Sequence, residues 1–243
     1  MNLQLSIIIP TLNEERALPT LLNDLSHLNL PNYEIIIADS GSTDRTRPLV
    51  TARARRNRRL RIVSAGTGAA TARNAGAKIA RGHTLFFLDA DQRVTPTFMR
   101  RALAEFNTRA LDIACFYPRP IPPTLWSRLF WWTCNNLLFR PGQYITPSGS
   151  TGAGLIIRRA LHERINGFNE TIHVIHDHDY VRRASKIGKF RMITSVKSTF
   201  NMRRFDEEGR FLLCAKYILL TLFHLFHIKQ TPFPYEFGHH ESP

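Results

Sequence analysis

A short apolar run that ends in two carboxylates constrains the fold of this chain more than any other stretch. Leu85–Leu88 is entirely apolar, and Asp89 and Asp91 follow it directly. Four apolar residues in succession are typical of a strand buried on both faces, as in a parallel sheet covered by helices. Ligands gather at the carboxyl ends of the strands in such a sheet. The run therefore predicts a central strand with a polar site at its end.

Asp89 and Asp91 also indicate what that site binds. Two carboxylates one residue apart repel each other unless a cation lies between them. Oxygen ligands suit Mg²⁺ or Mn²⁺, which proteins hold with one or two carboxylates and substrate phosphates. The pair therefore predicts a divalent metal site, and the alternative is a strand end with two solvated acids.

Strand and helix patterns alternate along the first half of the chain. Apolar runs predict strands at 5–9, 34–38, 61–64 and 85–88. Helical patterns separate them: one capped by Asn13, an arginine-rich one after the polar turn 39–44, a small-residue one to 80 and one over 96–107. This alternation, with short connections, predicts an α/β fold with a doubly wound, mainly parallel sheet.

A truncated glycine pattern follows the third predicted strand. Gly66, Gly68 and Thr71 are similar to the start of a dinucleotide-binding fingerprint, which makes a dehydrogenase an alternative. Thr71 stands where that fingerprint needs a third glycine for close packing of helix and strand. The pattern is a weak indication of a dinucleotide.

The second half of the chain begins differently. Pro118, Pro120, Pro122 and Pro123 predict a stiff connector. Further on, the patterns predict a strand ending at 157, helices over 158–165 and 176–186, and an extended stretch that ends at 203–205.

The charge of the chain indicates an anionic partner. The formal net charge is +14, and residues 53–61 contain six arginines. Nucleic acid, anionic lipid and a phosphorylated substrate all fit this charge. Trp126, Trp131 and Trp132, the three tryptophans of the chain, lie beside Arg128. This combination favours contact with a membrane interface, and packing in the core is the alternative.

Residues 211–228 are the most hydrophobic segment and approach the ~20 residues that cross a bilayer. Lys216, His224 and His227 fall on one side of a helix there, which favours a helix lying in the membrane interface. A helix that spans the membrane or docks on the protein's own core are the alternatives.

The cysteines and the first residues bear on the compartment. Cys115, Cys134 and Cys214 lie far apart without metal-ligand spacing, which suits a reducing compartment. The chain begins with a strand pattern, so we expect no signal peptide.

Several blocks share their order and spacing with a known family. They are Ser6–Glu15, Asp39–Asp44, Ala72–Gly76 and Asp89–Asp91, followed by Gly152–Ile157, Asn166–Glu170 and His176–Asp177. Over about residues 5–205, the chain resembles family-2 glycosyltransferases of the GT-A fold. The resemblance implies a Rossmann-like, mainly parallel sheet flanked by helices, and the apolar segment 211–228 adds a C-terminal apolar helix. We therefore divide the chain into a nucleotide-sugar-binding half (1–112) and an acceptor-binding half (113–205) of a GT-A domain, followed by a C-terminal helix and tail (206–243).

The resemblance also implies a donor site. The residues expected around the base and ribose are Pro10, Thr11, Glu14 and Asp39. Arg73 would lie near the nucleotide, and Asp89 and Asp91 would face the ribose and a Mn²⁺ or Mg²⁺ ion. Such an ion would stabilise the diphosphate charge that develops as the donor bond breaks.

A catalytic base is implied in the acceptor half. Asp177 matches the aspartate of the family's Glu-Asp pair, but His176 stands where glutamate is usual. Asp177 is therefore the first candidate, with Asp179 and His176 as alternatives, in an inverting reaction. Asp177 also suits a helix N-cap. Arg203 and Arg204 resemble an arginine pair that closes over the diphosphate in relatives, and a basic turn at the membrane face is the alternative.

These observations predict a metal-dependent, inverting glycosyltransferase at the cytoplasmic face of the cell membrane. It would move a sugar from a nucleotide-diphosphate-sugar to a lipid-linked or polyprenyl-phosphate acceptor. One alternative is a glycosyltransferase with a soluble small-molecule or glycan acceptor. Another is a basic nucleic-acid-binding module, although the sequence carries no RNA- or DNA-binding motif and we expect no nucleic acid.

Overall fold

A computed structural model describes residues 4–121, 124–145, 147, 154–172 and 176–201. Its strands are β1 Leu5–Thr11, β2 Tyr33–Asp39, β3 Leu60–Ser64, β4 Thr84–Phe87, β5 Ile113–Ile121, β6 Leu155–Arg158 and β7 Phe190–Asn201. Within the described residues they form one seven-stranded sheet in the order β3-β2-β1-β4-β6-β5-β7. β6 runs antiparallel to β4 and β5, and the other neighbouring strands are parallel. The predicted α/β fold with a mainly parallel sheet is confirmed.

The helices cover both faces of this sheet. They are α1 Leu18–Ser26, α2 Thr46–Ala54, α3 Ala69–Ile79, α4 Pro96–Thr108, α5 Leu125–Thr133, α6 Arg140–Ile145, α7 Arg159–Arg164 and α8 His176–Ser185, with a π-helical segment, Cys134–Phe139, between α5 and α6. Alternate strand residues enter two cores: Ile7 and Phe86 join one with α1 and α4, while Ile8 and Phe87 join the other with α3 and α8. Burial on both faces explains the continuous apolar runs in the sequence.

Small residues let α3 approach the sheet closely. A Cβ atom on Gly76 would lie 2.5 Å from Cγ2 of Ile8, which is less than van der Waals contact allows. Gly76 therefore sets the distance between α3 and β1, and with it the position of every side chain that α3 carries.

The prediction that Asn13 caps the first helix is wrong. α1 begins only at Leu18, whereas Asn13 has a φ of 57°. Its side-chain oxygen accepts hydrogen bonds from the backbone N–H groups of Thr43 and Asp44 at 2.9 and 3.4 Å. Donors in the loop after β2 thus occupy the oxygen that a helix cap would need, and Asn13 joins two loops at the carboxyl end of the sheet.

The prediction of a proline-stiffened connector is wrong for Pro118 and Pro120, which lie inside β5. Only Ile113–Cys115 of β5 pairs with β6, whereas the whole strand pairs with β7. Within the part of the chain that the structure describes, one edge of β5 has no strand partner beyond Cys115, and proline is tolerated there because its missing N–H costs no ladder bond. Pro122 and Pro123 lie outside the described residues.

Side chains cover the outer edge of β7. Oε1 of Gln143 accepts from the N–H of Met192 at 3.1 Å, and Nη1 of Arg109 donates to the carbonyl of Met192 at 3.0 Å. Glu105 of α4 accepts from the N–H groups of Thr194 and Ser195 at 3.0 and 2.7 Å. Burial raises the pKa of Glu105, but these hydrogen bonds outweigh burial and lower the pKa to about 2.

The C-terminal part of the chain lies outside the described residues, including the predicted apolar helix at 211–228. Among the residues that are described, no helix is both long enough and apolar enough to span a bilayer.

Candidate active site

The carboxyl edge of the sheet brings the predicted site residues together. Thr11 is the last residue of β1, Asp39 is the last residue of β2, and Asp89 follows β4 by two residues. α8 begins at the same edge, because Arg73 joins Asp89 to Asp177 through hydrogen bonds. The site therefore combines residues from both halves of the chain.

Asp39 is fully buried, and donors of the protein hold its carboxylate. The Thr11 hydroxyl donates to Oδ1 at 3.2 Å, and the Arg47 guanidinium donates to Oδ2 at 3.1 Å. Ser42 donates through its backbone N–H at 3.3 Å and through its hydroxyl. These bonds fix the loop after β2 against the end of β1, so Thr11 and Asp39 lie side by side.

Pro10 and Glu14 flank this pair. Pro10 lies opposite Ala38 in the β1–β2 ladder, and the backbone N–H of Glu14 donates to Oγ1 of Thr46 at 2.8 Å. Both residues are partly buried. Their assignment to a base and ribose site, with that of Thr11 and Asp39, stays a prediction.

Arg73 stands at the centre of the site. Its side chain is 7% exposed, and Nη2 donates to Oδ1 of Asp89 at 2.7 Å while Nη1 donates to Oδ1 of Asp177 at 2.8 Å. Nη1 also contacts Nε2 of His176. Burial lowers the pKa of Arg73, but the charges of Asp177 and Asp89 outweigh it and raise the pKa above its ordinary value. Arg73 is thus a permanent buried cation whose bonds run to carboxylates of the protein.

The two aspartates after β4 have different surroundings. Asp89 is 31% exposed and gives one carboxylate oxygen to Arg73. Asp91 is exposed to solvent. A backbone turn, in which the N–H of Gln92 donates to the carbonyl of Asp89 at 3.2 Å, joins them. Arg73 therefore holds Asp89 in place, while Asp91 faces the solution.

The carboxylates at this turn fit a divalent ion whose remaining ligands come from water and from a substrate of the protein. Among the described residues, no group of three or more His, Cys, Asp or Glu side chains could hold a metal ion by itself. Asp91 and Asp89 supply only oxygen ligands, which suits Mg²⁺ or Mn²⁺. Mg²⁺ is commonly bound by one or two carboxylates and completed by water and substrate phosphates. The residues fit the predicted metal, with Asp91 as the accessible ligand.

Asp177 begins α8 with an ionised carboxylate. Burial raises the pKa of Asp177, but the charge of Arg73 outweighs it and holds the pKa below its ordinary value. The side chain is 23% exposed, so it is open to solvent on one side while Arg73 fixes Oδ1 on the other. An oriented, ionised and accessible carboxylate has the properties that a general base needs.

The two alternatives to Asp177 have other contacts. The carboxylate of Asp179 is 8% exposed and binds Arg183 at 2.7 Å. Arg183 in turn donates to the carbonyl of Gly167 at 2.8 Å, so Asp179 ties α8 to the loop after α7. His176 is buried against Arg73. Of the three candidates, Asp177 has the side chain that is most open to solvent.

Asn74 joins the two halves of the site, a role that the sequence did not assign. Its amide exchanges two hydrogen bonds with the backbone of Phe168, at 2.9 and 2.8 Å, and donates to Glu170 at 2.8 Å. The Phe168 ring stacks on Tyr180 at 3.8 Å and lies 5.4 Å from the Arg73 guanidinium. The blocks Ala72–Gly76 and Asn166–Glu170 were visible as motifs, but nothing in either one signals that they touch.

Arg203 and Arg204, which the resemblance placed over the diphosphate, lie outside the described residues.

Comparison with known sequences identifies a family. Residues 6–165 match the family described as Glycosyl transferase family 2. The chain is 34% identical over 145 residues to the uncharacterized glycosyltransferase EpsJ of Bacillus subtilis (strain 168), which is 56% of this chain and 40% of EpsJ. It is 35% identical over 133 residues to validoxylamine A glucosyltransferase of Streptomyces hygroscopicus subsp. jinggangensis (strain 5008), which is 51% of this chain and 32% of that protein. The chain thus spans less than half the length of either relative.

Comparison with solved structures supports the fold. S. aureus TarS 1-349 in complex with UDP-GlcNAc superposes with a TM-score of 0.64 at 20% identity, covering 82% of this chain and 58% of that chain. The mannosyltransferase PcManGT from Pyrobaculum calidifontis in complex with GDP-Man and Mn²⁺ superposes with a TM-score of 0.66 at 21% identity, covering 81% and 56%. At such identities the likeness concerns the fold, and it confirms the predicted GT-A architecture.

Proposed function

The chain belongs to glycosyl transferase family 2 and is a glycosyltransferase; we propose that it transfers a sugar from a nucleotide-diphosphate-sugar to a lipid-linked or polyprenyl-phosphate acceptor. The observation that carries this proposal is the buried bridge from Asp89 through Arg73 to Asp177. The bridge fixes the carboxylate of Asp89, at the carboxyl edge of the sheet where the donor would bind, relative to the carboxylate of Asp177, which can act on an acceptor. An enzyme that joins two substrates needs such a fixed relation.

The donor part of the proposal is supported by the edge formed by β1, β2 and β4. Thr11 and Asp39 form a hydrogen-bonded polar pair at the ends of β1 and β2, and Asp89 follows β4, the strand on the other side of β1. TarS and PcManGT, which share the fold, are described in complexes with UDP-GlcNAc and GDP-Man. A nucleotide-diphosphate-sugar is therefore the donor class we propose.

The metal part of the proposal assigns Mn²⁺ or Mg²⁺ to Asp91 and Asp89. The carboxylate oxygens of these two residues suit such an ion, and PcManGT is described with Mn²⁺. When bound, the ion would neutralise charge on the leaving diphosphate. The role of Arg73 is separate: it holds Asp89, so that the carboxylate keeps its orientation at the donor edge.

The transfer step is proposed to be an inverting single displacement. The acceptor hydroxyl oxygen attacks the anomeric carbon, the bond from that carbon to the diphosphate oxygen breaks, and Asp177 takes the hydroxyl proton. The lowered pKa of Asp177 keeps it ionised at neutral pH, and Arg73 keeps it oriented. Asp179 is committed to Arg183, which supports Asp177 as the base.

The acceptor part of the proposal draws on the charge of the chain and on Trp132, which is exposed near Arg128. A net charge of +14 suits a phosphorylated acceptor and an anionic membrane, at which we propose that the protein is peripheral on the cytoplasmic side. The relative that acts on validoxylamine A favours the second candidate, a soluble small-molecule acceptor. Assay of polyprenyl-phosphate and soluble acceptors side by side separates the two.

Two carboxylate-to-amide variants test the roles of the site residues. We expect Asp91→Asn to remove the Mn²⁺-dependent rise in melting temperature that a nucleotide-sugar gives, because a ligand stabilises the form to which it binds. We expect Asp177→Asn to retain that rise and to lower the rate of sugar transfer by about 10²–10⁴-fold.

Glu163→Gln is the matched control, since Glu163 is exposed on α7. It should match the unmodified protein in both measurements. Transfer at the normal rate by Asp177→Asn would refute the assignment of the base, and an unchanged Mn²⁺ response in Asp91→Asn would refute the metal site.

A further inference from the structure

The helical arm, defined as residues 125–145 from α5 through α6, exposes an unusual number of large apolar side chains. They are Leu125 (85% exposed), Leu129 (65%), Trp132 (60%), Leu137 (64%), Leu138 (60%), Tyr144 (64%) and Ile145 (77%). We call these seven residues the outer face of the arm. Scattered exposed apolar residues are ordinary, but a continuous apolar surface on a soluble protein usually marks an interaction site.

The arm buries polar side chains and exposes large apolar ones, which is unusual for a surface helix. Its inner side buries the polar residues Ser127, Asn135 and Gln143, together with Trp131. An amphipathic helix of a soluble protein instead turns apolar residues inward and polar residues to water. Trp131 and Phe139 also pack inward, but seven large apolar side chains stay in solvent while three polar ones are buried.

Specific hydrogen bonds hold the arm in this orientation. The side-chain amide of Asn135 donates to the carbonyl of Pro118 at 3.1 Å, and Oε1 of Gln143 accepts from the N–H of Met192 at 3.1 Å. Both partners belong to strands of the sheet. Rotation of the arm to hide its outer face would break these bonds and leave buried polar groups without partners, which costs free energy.

The π-helical segment Cys134–Phe139 contributes to this arrangement. In an unbroken α-helix, Gln143 would follow Leu125 by about five whole turns and would lie on the same exposed side. The i→i+5 turns of the π-helical segment change that register, so Gln143 is buried and Tyr144 is exposed. The break thereby keeps apolar residues outward on both sides of it.

The arm and the chain on either side of it carry charge of one sign. No acidic residue occurs between Asp112 and Glu163. Arg128 and Arg140 are exposed on the arm, and Arg119 is exposed on the strand before it. Apolar and aromatic residues flanked by arginine suit the interface of a membrane whose headgroups are anionic. A second copy of this chain would instead bring arginines against arginines.

We propose that the outer face of the arm inserts into the headgroup region of an anionic lipid bilayer. The arm leaves the sheet after β5, which runs parallel to β4, so it lies at the carboxyl edge that carries Asp89. Docking through the arm would then bring this edge of the sheet close to the membrane surface. This inference deepens the proposed lipid-linked acceptor and rests on it, because it supplies the way in which site and acceptor meet.

Vesicle flotation of the full chain tests the proposal. We expect the protein to float with phosphatidylcholine vesicles that contain phosphatidylglycerol, and less so without the anionic lipid or when salt is raised from about 0.1 M to about 0.5 M. The double variant Leu129→Gln/Trp132→Gln should partition at least about tenfold more weakly, because two buried apolar side chains are lost. Ile187→Gln is the matched control, since Ile187 is an exposed apolar residue outside the arm.

Each alternative occupant has its own result. If residues 206–243 attach the protein to lipid instead, the double variant floats like the unmodified protein, and the proposal is overturned. If a second copy covers the outer face, light scattering shows a dimer that the double variant abolishes, without flotation, and the proposal is again overturned.

Hydrolysis of a nucleotide-sugar without vesicles separates this inference from the proposed function. The double variant should retain it, because Leu129 and Trp132 are exposed residues of the arm and are not among the site residues around Arg73. If the unmodified protein floats with vesicles but shows neither hydrolysis nor transfer, membrane binding through the arm is supported and the proposed transfer reaction is refuted.

Discussion

Replacement of Arg73 by glutamine should destabilise the protein by about 3 kcal/mol. Two charges about 4 Å apart interact by about 4 kcal/mol at an effective dielectric constant of about 20. Removal of one partner of a buried ion pair costs about 3–5 kcal/mol, because the remaining charge stays buried without compensation. Asp89 and Asp177 are 31% and 23% exposed, so water compensates part of the loss and the lower figure applies. In a domain of this size, the melting temperature should fall by at least about 6 °C.

The loss should depend on pH in a defined direction. In the unmodified protein the pKa of Asp177 is depressed, so the stability that it contributes is present above its unfolded-state pKa and is lost as the pH falls through the folded-state pKa. Without Arg73, burial raises the pKa of Asp177, and protonation then stabilises the variant. The difference in unfolding free energy between the unmodified protein and Arg73→Gln should therefore become smaller as the pH falls from about 7 to about 4.

Urea unfolding at several pH values measures this difference. Arg159→Gln is the control, because Arg159 pairs with Glu163 at 2.9 Å in an exposed position where a pair contributes less than about 0.5 kcal/mol. In the double variant Arg73→Gln/Asp177→Asn, loss of the uncompensated charge should recover part of the stability. A difference that stays constant with pH, or an Arg73→Gln protein as stable as the Arg159→Gln control, would refute the argument from buried charge.

Three further changes test contacts that hold the fold together, each by urea unfolding. Glu105→Gln should lower the free energy of unfolding by about 1.5–3 kcal/mol at about pH 7, because an ionised acceptor is lost. The unmodified protein should lose stability as the pH falls from 4.5 towards about 2, and the variant should lose less over the same range. Gly76→Ala should cost about 1–3 kcal/mol because the new Cβ meets Ile8 at 2.5 Å, whereas Gly142→Ala, with nothing within 4 Å, should be near neutral. Asn74→Leu should lower the free energy of unfolding by about 1–3 kcal/mol, since the N–H and the carbonyl of Phe168 lose their hydrogen-bond partner. A variant as stable as the unmodified protein would show that these hydrogen bonds do not stabilise the fold.

The sheet could be predicted because the continuous apolar runs of its strands indicate burial on both faces. Ile7, Ile8 and Ile9 are all fully buried, on alternate faces, and only a strand between two helical layers needs such a run. The position of the acids could be predicted for the same reason, since Asp39 and Asp89 come where apolar runs stop.

The wrong predictions were those for which the deciding partner is distant in sequence. Asn13 follows the local rule for a helix cap, but donors at Thr43 and Asp44 compete for its oxygen. Pro118 is unfavourable in a strand by itself and is accepted because β6 pairs with only the start of β5. Neither partner is visible in the neighbouring residues.

The centre of the site could not be predicted for a related reason. The resemblance placed Arg73 near a nucleotide, but its role depends on Asp177, which is 104 residues away in the sequence. Charge balance in a buried site is a property of the assembled fold. A motif names the residues that take part; which carboxylates share a cation is decided only when the strands and helices are packed.

The covered edge of β7 has a consequence for the behaviour of the protein in concentrated solution. A sheet can recruit a strand from another molecule only where backbone donors and acceptors remain open. At Met192 both groups already serve Gln143 and Arg109, and Glu105 occupies the N–H groups just beyond. Intermolecular growth of the sheet from this stretch would first have to displace three side chains. In the sheet that the described residues form, the edge at β7 is therefore protected against fibril-like addition by side-chain contacts that a topology diagram does not show.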